Sequence, residues 1–272
     1  MRRRVRGARK LLFASGVAVL CAWILVPIYL IALGAFGGRA GVFKWPKSIW
    51  PGDASLDALW SFMRIEGVWQ AALNSVIAAV LTMVFSIALG LPAGYALARY
   101  PFKGADAFRL MLLMTRAFPL AILALPLTVV FIRLGLYDTP LGVALVHTAL
   151  ALPFAALISA GLFAGIPREF EEAAWVFGCS RFTAFRRIVL PLALPGIAAA
   201  AIFAFVISWN EVFAASVLTV THRTLTAYLL AVLSESPLHY RFAGGFILIV
   251  PSVLFIFAVR KYLFAMWGVS NR

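Results

Sequence analysis

Four polar and aromatic residues near the end of a long apolar run are Ser208, Trp209, Asn210 and Glu211. An aromatic face can stack on the apolar side of a sugar ring, while hydroxyl and amide groups can hydrogen-bond its hydroxyls. Polar side chains inside a membrane helix are candidates for a transport path. We therefore expect this segment to line a substrate path. Hydrogen bonding between helices is the alternative interpretation, and the sequence leaves both open.

A polar stretch runs from Pro167 to Pro191 between two long apolar runs. Pro167 suits the first turn of a helix, where its missing N–H has no cost. Glu169, Glu171 and Glu172 follow within its first turns, where the positive end of the helix dipole favours negative charge. Gly178 then supplies the glycine that commonly ends a helix. The pattern predicts a helix over 167–177.

One face of this predicted helix is apolar. Its members follow the i, i+3, i+4, i+7 spacing and are Phe170, Ala173, Ala174 and Phe177. The two small residues at its centre permit the close approach of a partner. Ser180 can cap a second short helix, which Leu190-Pro191 would end. The stretch therefore predicts a docking element for a soluble partner.

The chain lacks the residue patterns of an enzyme. A phosphate-binding P-loop needs glycine directly before its lysine, and none of the five lysines follows a glycine. The histidines His147, His222 and His239 do not form a metal motif such as HExxH. We therefore expect no catalytic residues, no metal site and no cofactor in this chain. Energy for any active transport would come from another subunit.

Composition identifies a membrane protein, because 64% of the residues are hydrophobic and only 12% are charged. The mean hydropathy is +0.98. Continuous apolar runs of about 20 residues or more predict helices rather than a barrel. The predicted fold is all-α, one domain over 1–272 with a polar loop at 165–193. The six predicted transmembrane helices are 11–33, 71–98, 108–133, 141–164, 195–220 and 243–263.

The basic residues are distributed unevenly about these helices. With the N-terminus inside, sixteen of them lie on the inner side and seven on the outer side. This asymmetry is the positive-inside pattern, which sets the orientation of a membrane protein. It predicts that both termini are cytoplasmic. It also explains the net charge of +14 without nucleic acid as a partner.

Arg116 is a further charge within an apolar run, in the third predicted helix. Its depth and that of Glu211 differ by about 12 Å at the helical rise per residue. The sequence therefore predicts no direct ion pair between them. Arg116 would instead reach toward the inner surface or bond a carbonyl near Pro119.

Glu172-Ala173-Ala174, Gly178 and Ile188-Val189-Leu190-Pro191 resemble the "EAA…G…I.LP" loop of ABC importer permeases. In that family the loop inserts into a cleft of the cytoplasmic ATPase subunit and transmits its motion to the membrane helices. The resemblance implies that the ATPase-coupling residues are Phe170, Glu172, Ala173, Ala174, Phe177, Gly178, Leu190 and Pro191.

The resemblance extends over most of the chain. Segments similar to the smaller six-helix subunit of maltose-type importers are 94–104, 134–139, 152–154 and 208–213. This implies a type I permease of a bacterial inner membrane that carries a carbohydrate. It also implies three partners, namely an ATPase dimer that holds ATP and magnesium, a second permease in a heterodimer, and a periplasmic or lipoprotein solute-binding protein.

Two features depart from the family pattern. Phe177 stands where an aspartate is usual, and the tail 267–272 lacks the usual glycine- and lysine-rich ending. Two other functions remain open at this point. One is an ABC permease for a polyamine or another small solute, which shares the inner loop. The other is a secondary transporter that needs no ATPase.

Overall fold

The chain folds into helices, as its apolar runs require. The structure, a computed structural model, describes the backbone of residues 2–46, 49–50, 54–233 and 236–266, with the side chains of 2–9, 11, 39–40, 233 and 258–266 outside the description. The described part contains no strand, which confirms the all-α class. Its α-helices in chain order are α1 Arg2–Phe36, α2 Gly38–Phe43, α3 Asp57–Met63, α4 Val68–Arg99, α5 Ala105–Met114, α6 Leu120–Arg133, α7 Pro140–Ala164, α8 Glu169–Val176, α9 Arg181–Ala184, α10 Leu190–Asn210, α11 Phe213–Leu218, α12 Leu225–Leu233 and α13 Leu238–Met266.

The helices pack as two compact units, where the sequence predicted one domain over 1–272. The first unit comprises the chain up to Glu66 together with Val232–Val250. The second comprises Gly67–Ala231 and the chain from Pro251 onward. A single long helix, α13, contributes to both units, and the division falls at its internal proline.

The first unit is built on the contact between α1 and the beginning of α13. Gly34 allows close approach, because a Cβ there would lie 2.4 Å from the ring of Phe242. The rings of Phe36 and Phe246 meet edge to face at 5.0 Å. The apolar stretch Leu12–Phe36 contains no long buried segment. Its exposed apolar side chains suit contact with lipid.

Small residues set the core of the second unit, where α4 and α7 pack side by side. A Cβ added to Gly94 would lie 2.5 Å from the Ser159 Cβ and 2.7 Å from the Ala156 carbonyl. A Cβ on Gly90 would meet the Ala155 side chain at 2.9 Å. Such small residues let membrane helices approach closely and pack by van der Waals contact.

The third predicted helix, 108–133, is broken in the structure. Ala105–Ala117 and Leu120–Arg133 meet at an angle of 84°. The break falls at Pro119, and Phe118 before it is extended with ψ 121°. A proline clashes with a helical residue before it and removes a backbone donor, so the helix ends there.

The fifth predicted helix, 195–220, differs at both ends. The helix is continuous from Arg181 to Asn210, so Leu190-Pro191 does not end it. A π turn at Phe185–Val189 precedes the proline, with the Leu190 N–H donating to the Phe185 carbonyl. This wider turn accommodates a residue that cannot donate to the preceding turn. At the other end Glu211 is extended, and the short α11 follows.

Within the part of the chain that the structure describes, five helices are long and apolar enough to cross a membrane, and a sixth span results if the bent pair counts as one. The predicted segments 11–33, 71–98, 141–164 and 243–263 lie within α1, α4, α7 and α13. The tail 267–272 lies outside the described residues.

Candidate functional site

Helix α8 forms the centre of the polar loop. It spans Glu169–Val176, two residues shorter at its start than predicted, because Pro167 precedes its cap Arg168. Gly178 has φ +84°, donates to the Trp175 carbonyl, and is followed by a bond from the Cys179 N–H to the Ala174 carbonyl. These two bonds form the Schellman end of a helix. The predicted stop at Gly178 is confirmed.

The exposed apolar residues of α8 are not the same four that the sequence predicted for its apolar face. Phe177 is 87% exposed and Phe170 is 51% exposed, and Ala173 also faces solvent. Ala174 is only 5% exposed and lies on the inner face. Its place on the outer surface is taken by Val176, which is 86% exposed. We call Phe170, Ala173, Val176 and Phe177 the outer face of α8.

Glu171 is the buried polar residue of the inner face. Its Oε1 accepts from Arg99 Nε at 2.5 Å, and its Oε2 accepts from the Tyr95 hydroxyl at 2.5 Å. Both partners lie in the last two turns of α4, and the ionic groups are less than a tenth exposed. Sequence reasoning assigned Glu171 only to the helix dipole, and therefore missed this contact.

Two arginines also join the end of α4 to the segment that leads into α8. One donates from α4 to that segment, and the other donates from that segment to α4. Arg99 Nη2 donates to the Ile166 carbonyl at 2.9 Å, just before α8. Arg168 Nη2 donates to the Arg99 carbonyl at 2.8 Å, at the end of α4. Each charge therefore satisfies carbonyl groups that a helix end or a loop leaves open. We call Tyr95, Arg99, Arg168 and Glu171 the α4–α8 clamp.

Aromatic rings pack beneath the clamp. The Tyr95 ring lies edge to face with Phe163 at 5.4 Å and with Phe185 at 4.7 Å. Phe163 lies in the last turn of α7, and Phe185 begins the π turn that leads into α10. The clamp is therefore joined to the end of α7 and the beginning of α10 as well as to α4. Of the other predicted coupling residues, Glu172 and Pro191 are exposed and Leu190 is half-buried.

A second polar cluster lies within the helix core and includes part of the predicted substrate path. His147 is fully buried and contacts Ser208 Oγ through Nδ1 at 2.8 Å. Its Nε2 contacts Glu211 Oε2 at 3.0 Å. Thr82 of α4 lies 3.2 Å from Ser208 through the two hydroxyl oxygens. Sequence reasoning missed Thr82, and it tested His147 only as a metal ligand.

This cluster superficially resembles a serine-hydrolase triad. In that triad serine bonds to Nε2 and the acid to Nδ1, which is the reverse of the order here. Ser208 is 4% exposed and its hydroxyl also bonds to Thr82. The hydroxyl is therefore buried, and the cluster joins α4, α7 and α10 by hydrogen bonds.

Glu211 lies in the short connection between α10 and α11. Its carboxylate accepts from the backbone N–H groups of Ala214 at 3.0 Å and Ala215 at 3.2 Å. It therefore caps α11, as carboxylates do at helix N-termini. Of the four predicted path residues, Trp209 is buried and stacks with Phe205, whereas Asn210 is exposed.

An open cavity of about 480 Å³ lies beside the break at Pro119 and the end of α10 at Asn210. Asn210 and Glu211 line one side, and Arg116 and Phe118 of the broken third span line another. Arg116 Nη1 donates to the Leu150 carbonyl at 2.7 Å, and its guanidinium lies over the Phe154 ring. Arg116 thus bonds a carbonyl of α7, rather than the predicted one near Pro119. Only Asn210 and Glu211 of the predicted path residues line the cavity.

Comparison with known proteins finds membrane components of transport systems that are similar to this chain. Residues 87–265 match the family described as binding-protein-dependent transport system inner membrane component. A putative ABC transporter permease, ORF1 of Streptomyces antibioticus, is 38% identical over 196 residues, covering 71% of this chain and 86% of that protein.

The names of two other relatives state the sugar that their transport system takes up. The trehalose transport system permease protein SugB of Mycobacterium tuberculosis is 31% identical, covering 79% of this chain and 81% of that protein. The diacetylchitobiose uptake system permease protein DasC of Streptomyces coelicolor is 29% identical, covering 71% and 70%. A bacterial ABC transporter that imports alginate has a chain of similar fold, with TM-score 0.70 and 22% identity over 93% of this chain and 95% of that chain.

Proposed function

The chain belongs to the family of binding-protein-dependent transport system inner membrane components, and we propose that it is the permease subunit of an ABC importer for a carbohydrate. Its helices cross the inner membrane several times. The main support for the proposal is the arrangement of α8. This short helix is held against the membrane helices by buried ionic contacts, while its outer face presents exposed aromatic and apolar side chains.

An ATPase dimer, which holds the ATP and magnesium, is the partner that fits the outer face. Apolar side chains exposed on a helix in the cytoplasm need a partner groove to cover them. The remaining partners are a second permease, forming a heterodimer, and an extracytoplasmic solute-binding protein. A similar solved transporter is described in complex with an alginate-bound periplasmic protein. The excess of basic residues on one side favours cytoplasmic termini.

The cargo proposal rests on the relatives and on the cavity. Names of the relatives mention trehalose, diacetylchitobiose and alpha-glucosides. The cavity combines the Asn210 amide with the aromatic ring of Phe118 and the cation of Arg116. Amide and aromatic groups suit a neutral sugar. The Glu211 carboxylate on the same wall is already paired with His147 and two backbone N–H groups. A cationic polyamine is therefore disfavoured, because the exposed Arg116 guanidinium would repel it.

The coupling role of α8 can be tested by two substitutions. Glu172→Lys reverses an exposed charge beside the outer face, and Gly178→Asp places a side chain at φ +84°. We expect both to abolish ATP-driven sugar uptake in proteoliposomes while membrane insertion is unchanged. Asp57→Lys on α3, an equal charge reversal at an exposed position, serves as the control. Normal uptake by both α8 variants would contradict the coupling role.

A further inference from the structure

The α4–α8 clamp has a geometry that suits the transmission of force. We propose that Glu171 is a positioning residue that fixes α8 to the inner end of α4, so that the two helices move together when the ATPase displaces α8. This inference rests on the proposed function. It assigns a role to an acidic residue on the inner face, whereas the predicted coupling residue Glu172 faces solvent.

The ionic character of the clamp is informative in itself. Burying two charges costs several kcal/mol of hydration free energy, and apolar side chains of similar volume often stabilise a fold equally well. A buried ion pair does define one relative position of the groups that it joins. The carboxylate of Glu171 has both oxygens occupied, one by Arg99 and the other by Tyr95. These two contacts fix both the position and the rotation of α8 against α4.

Helix α4 leads from the clamp to the cavity. Arg99 is seventeen residues from Thr82, and an α-helix of that length spans about 26 Å. At the other end of this seventeen-residue stretch, Thr82 contacts Ser208 and the Ala144 carbonyl. Ser208 bonds His147, which bonds Glu211 on the cavity wall. Rigid helices and hydrogen bonds therefore join α8 to the cavity through Glu171 and Arg99.

A second route between the same points runs along the chain itself. Helix α8 is followed by α9, the π turn and α10, which ends beside the cavity at Asn210. Removing the Glu171 carboxylate leaves this covalent route intact. The two routes can therefore be separated by experiment.

The test uses the assembled transporter in proteoliposomes and measures sugar imported per ATP hydrolysed. With Glu171→Gln we expect the ATPase rate to persist and the sugar-to-ATP ratio to fall about tenfold, within the usual range of coupling free energies. Tyr95→Phe removes one hydrogen bond without leaving a charge unpaired, and we expect a smaller fall. The matched control is Asp106→Asn, which breaks an exposed ion pair with Arg109; we expect its ratio to equal that of the unmodified transporter.

Spin labels provide a second measurement that does not depend on transport. With Cys21 and Cys179 replaced by serine, labels at the exposed positions Glu169→Cys on α8 and Ala96→Cys on α4 report the separation of the two helices. We expect one narrow distance distribution throughout the ATP cycle, and a broad one after Glu171→Gln.

Three outcomes would overturn the inference. They are an unchanged sugar-to-ATP ratio in Glu171→Gln and Tyr95→Phe, a proportional fall of uptake and ATPase activity, and label distances that do not depend on Glu171. The first would assign the transmission to the route through α10. Failure of the proposed function looks different, because the unmodified transporter itself would then import no sugar with ATP.

Discussion

At the scale of single residues, the direction that a side chain faces decides its role. Glu171 and Glu172 are adjacent acids in one helix, yet one is buried against Arg99 and the other is exposed. The helical spacing in the sequence predicted α8 and its glycine end. It could not predict which acid faces inward, because Arg99 is 72 residues away along the chain. The same uncertainty placed Ala174 wrongly on the outer face.

His147 is an ionisable residue in an apolar helix, and the sequence alone indicates that it needs a polar partner. An ionisable residue within an apolar helix almost always has a polar partner in the helix core. Its partners Ser208 and Glu211 are two of the polar residues that the sequence indicates in the fifth helix. The absence of a metal motif around His147 does not predict this pairing. The sequence therefore contained the members of the cluster, and only the fold gave their contacts.

A pair of buried serines tests the value of this cluster for stability. Ser208→Ala removes contacts to His147 and Thr82, and we expect it to lower the free energy of unfolding by about 1–2 kcal/mol. Ser159 is also buried, but its hydroxyl has no hydrogen-bond partner among the described residues. Ser159→Ala should therefore be close to neutral. Thermal unfolding in detergent gives the comparison, and equal effects of the two changes would contradict the structural role of the cluster.

At the scale of helices, prolines have different outcomes that the sequence does not distinguish. Pro119 breaks the third span, whereas Pro126 and Pro153 lie inside unbroken helices. Whether a proline bends or ends a membrane helix depends on neighbours that satisfy the freed carbonyl groups. Those neighbours come from distant parts of the chain. Segment existence was therefore predictable, while the breaks that shape the cavity were not.

One carboxylate joins two connections between helices of the second unit. Asp138, in the turn between α6 and α7, accepts from the backbone N–H groups of Val220, Thr221 and His222, and from the Thr221 hydroxyl. Burial alone would raise the pKa of Asp138. The hydrogen bonds outweigh burial and hold this pKa well below its usual range. The ionised form is therefore favoured by the fold.

The lowered pKa of Asp138 predicts a dependence of stability on pH. Its stabilising contribution is complete above the usual aspartate pKa of about 3.9 and is lost as pH falls toward the lower pKa of the folded state. We expect Asp138→Asn to lower the melting temperature at pH 7. The difference from the unmodified protein should shrink below about pH 4. A difference that stays constant down to pH 3 would show that the charge is not the cause.

At the scale of the whole molecule, the proposed function separates energy supply from transport. No P-loop occurs in the sequence, and in the proposed importer the energy comes from a separate ATPase subunit. The outer face of α8 is the surface that we propose contacts that subunit, and the cavity lined by Arg116, Asn210 and Glu211 lies at the breaks of two spanning helices. The composition predicted the membrane class, and coupling through the polar loop stays a prediction. The cavity required the fold.

ATP-driven uptake by the reconstituted transporter tests this function most directly. Proteoliposomes holding this chain with its partner permease, its ATPase and its binding protein would be offered labelled disaccharides and labelled putrescine. We expect a disaccharide to accumulate only when ATP and the ATPase are present, and putrescine not to accumulate. Accumulation of putrescine alone would contradict the carbohydrate cargo. Uptake by this chain alone, driven by an ion gradient without ATP, would contradict the ABC importer itself.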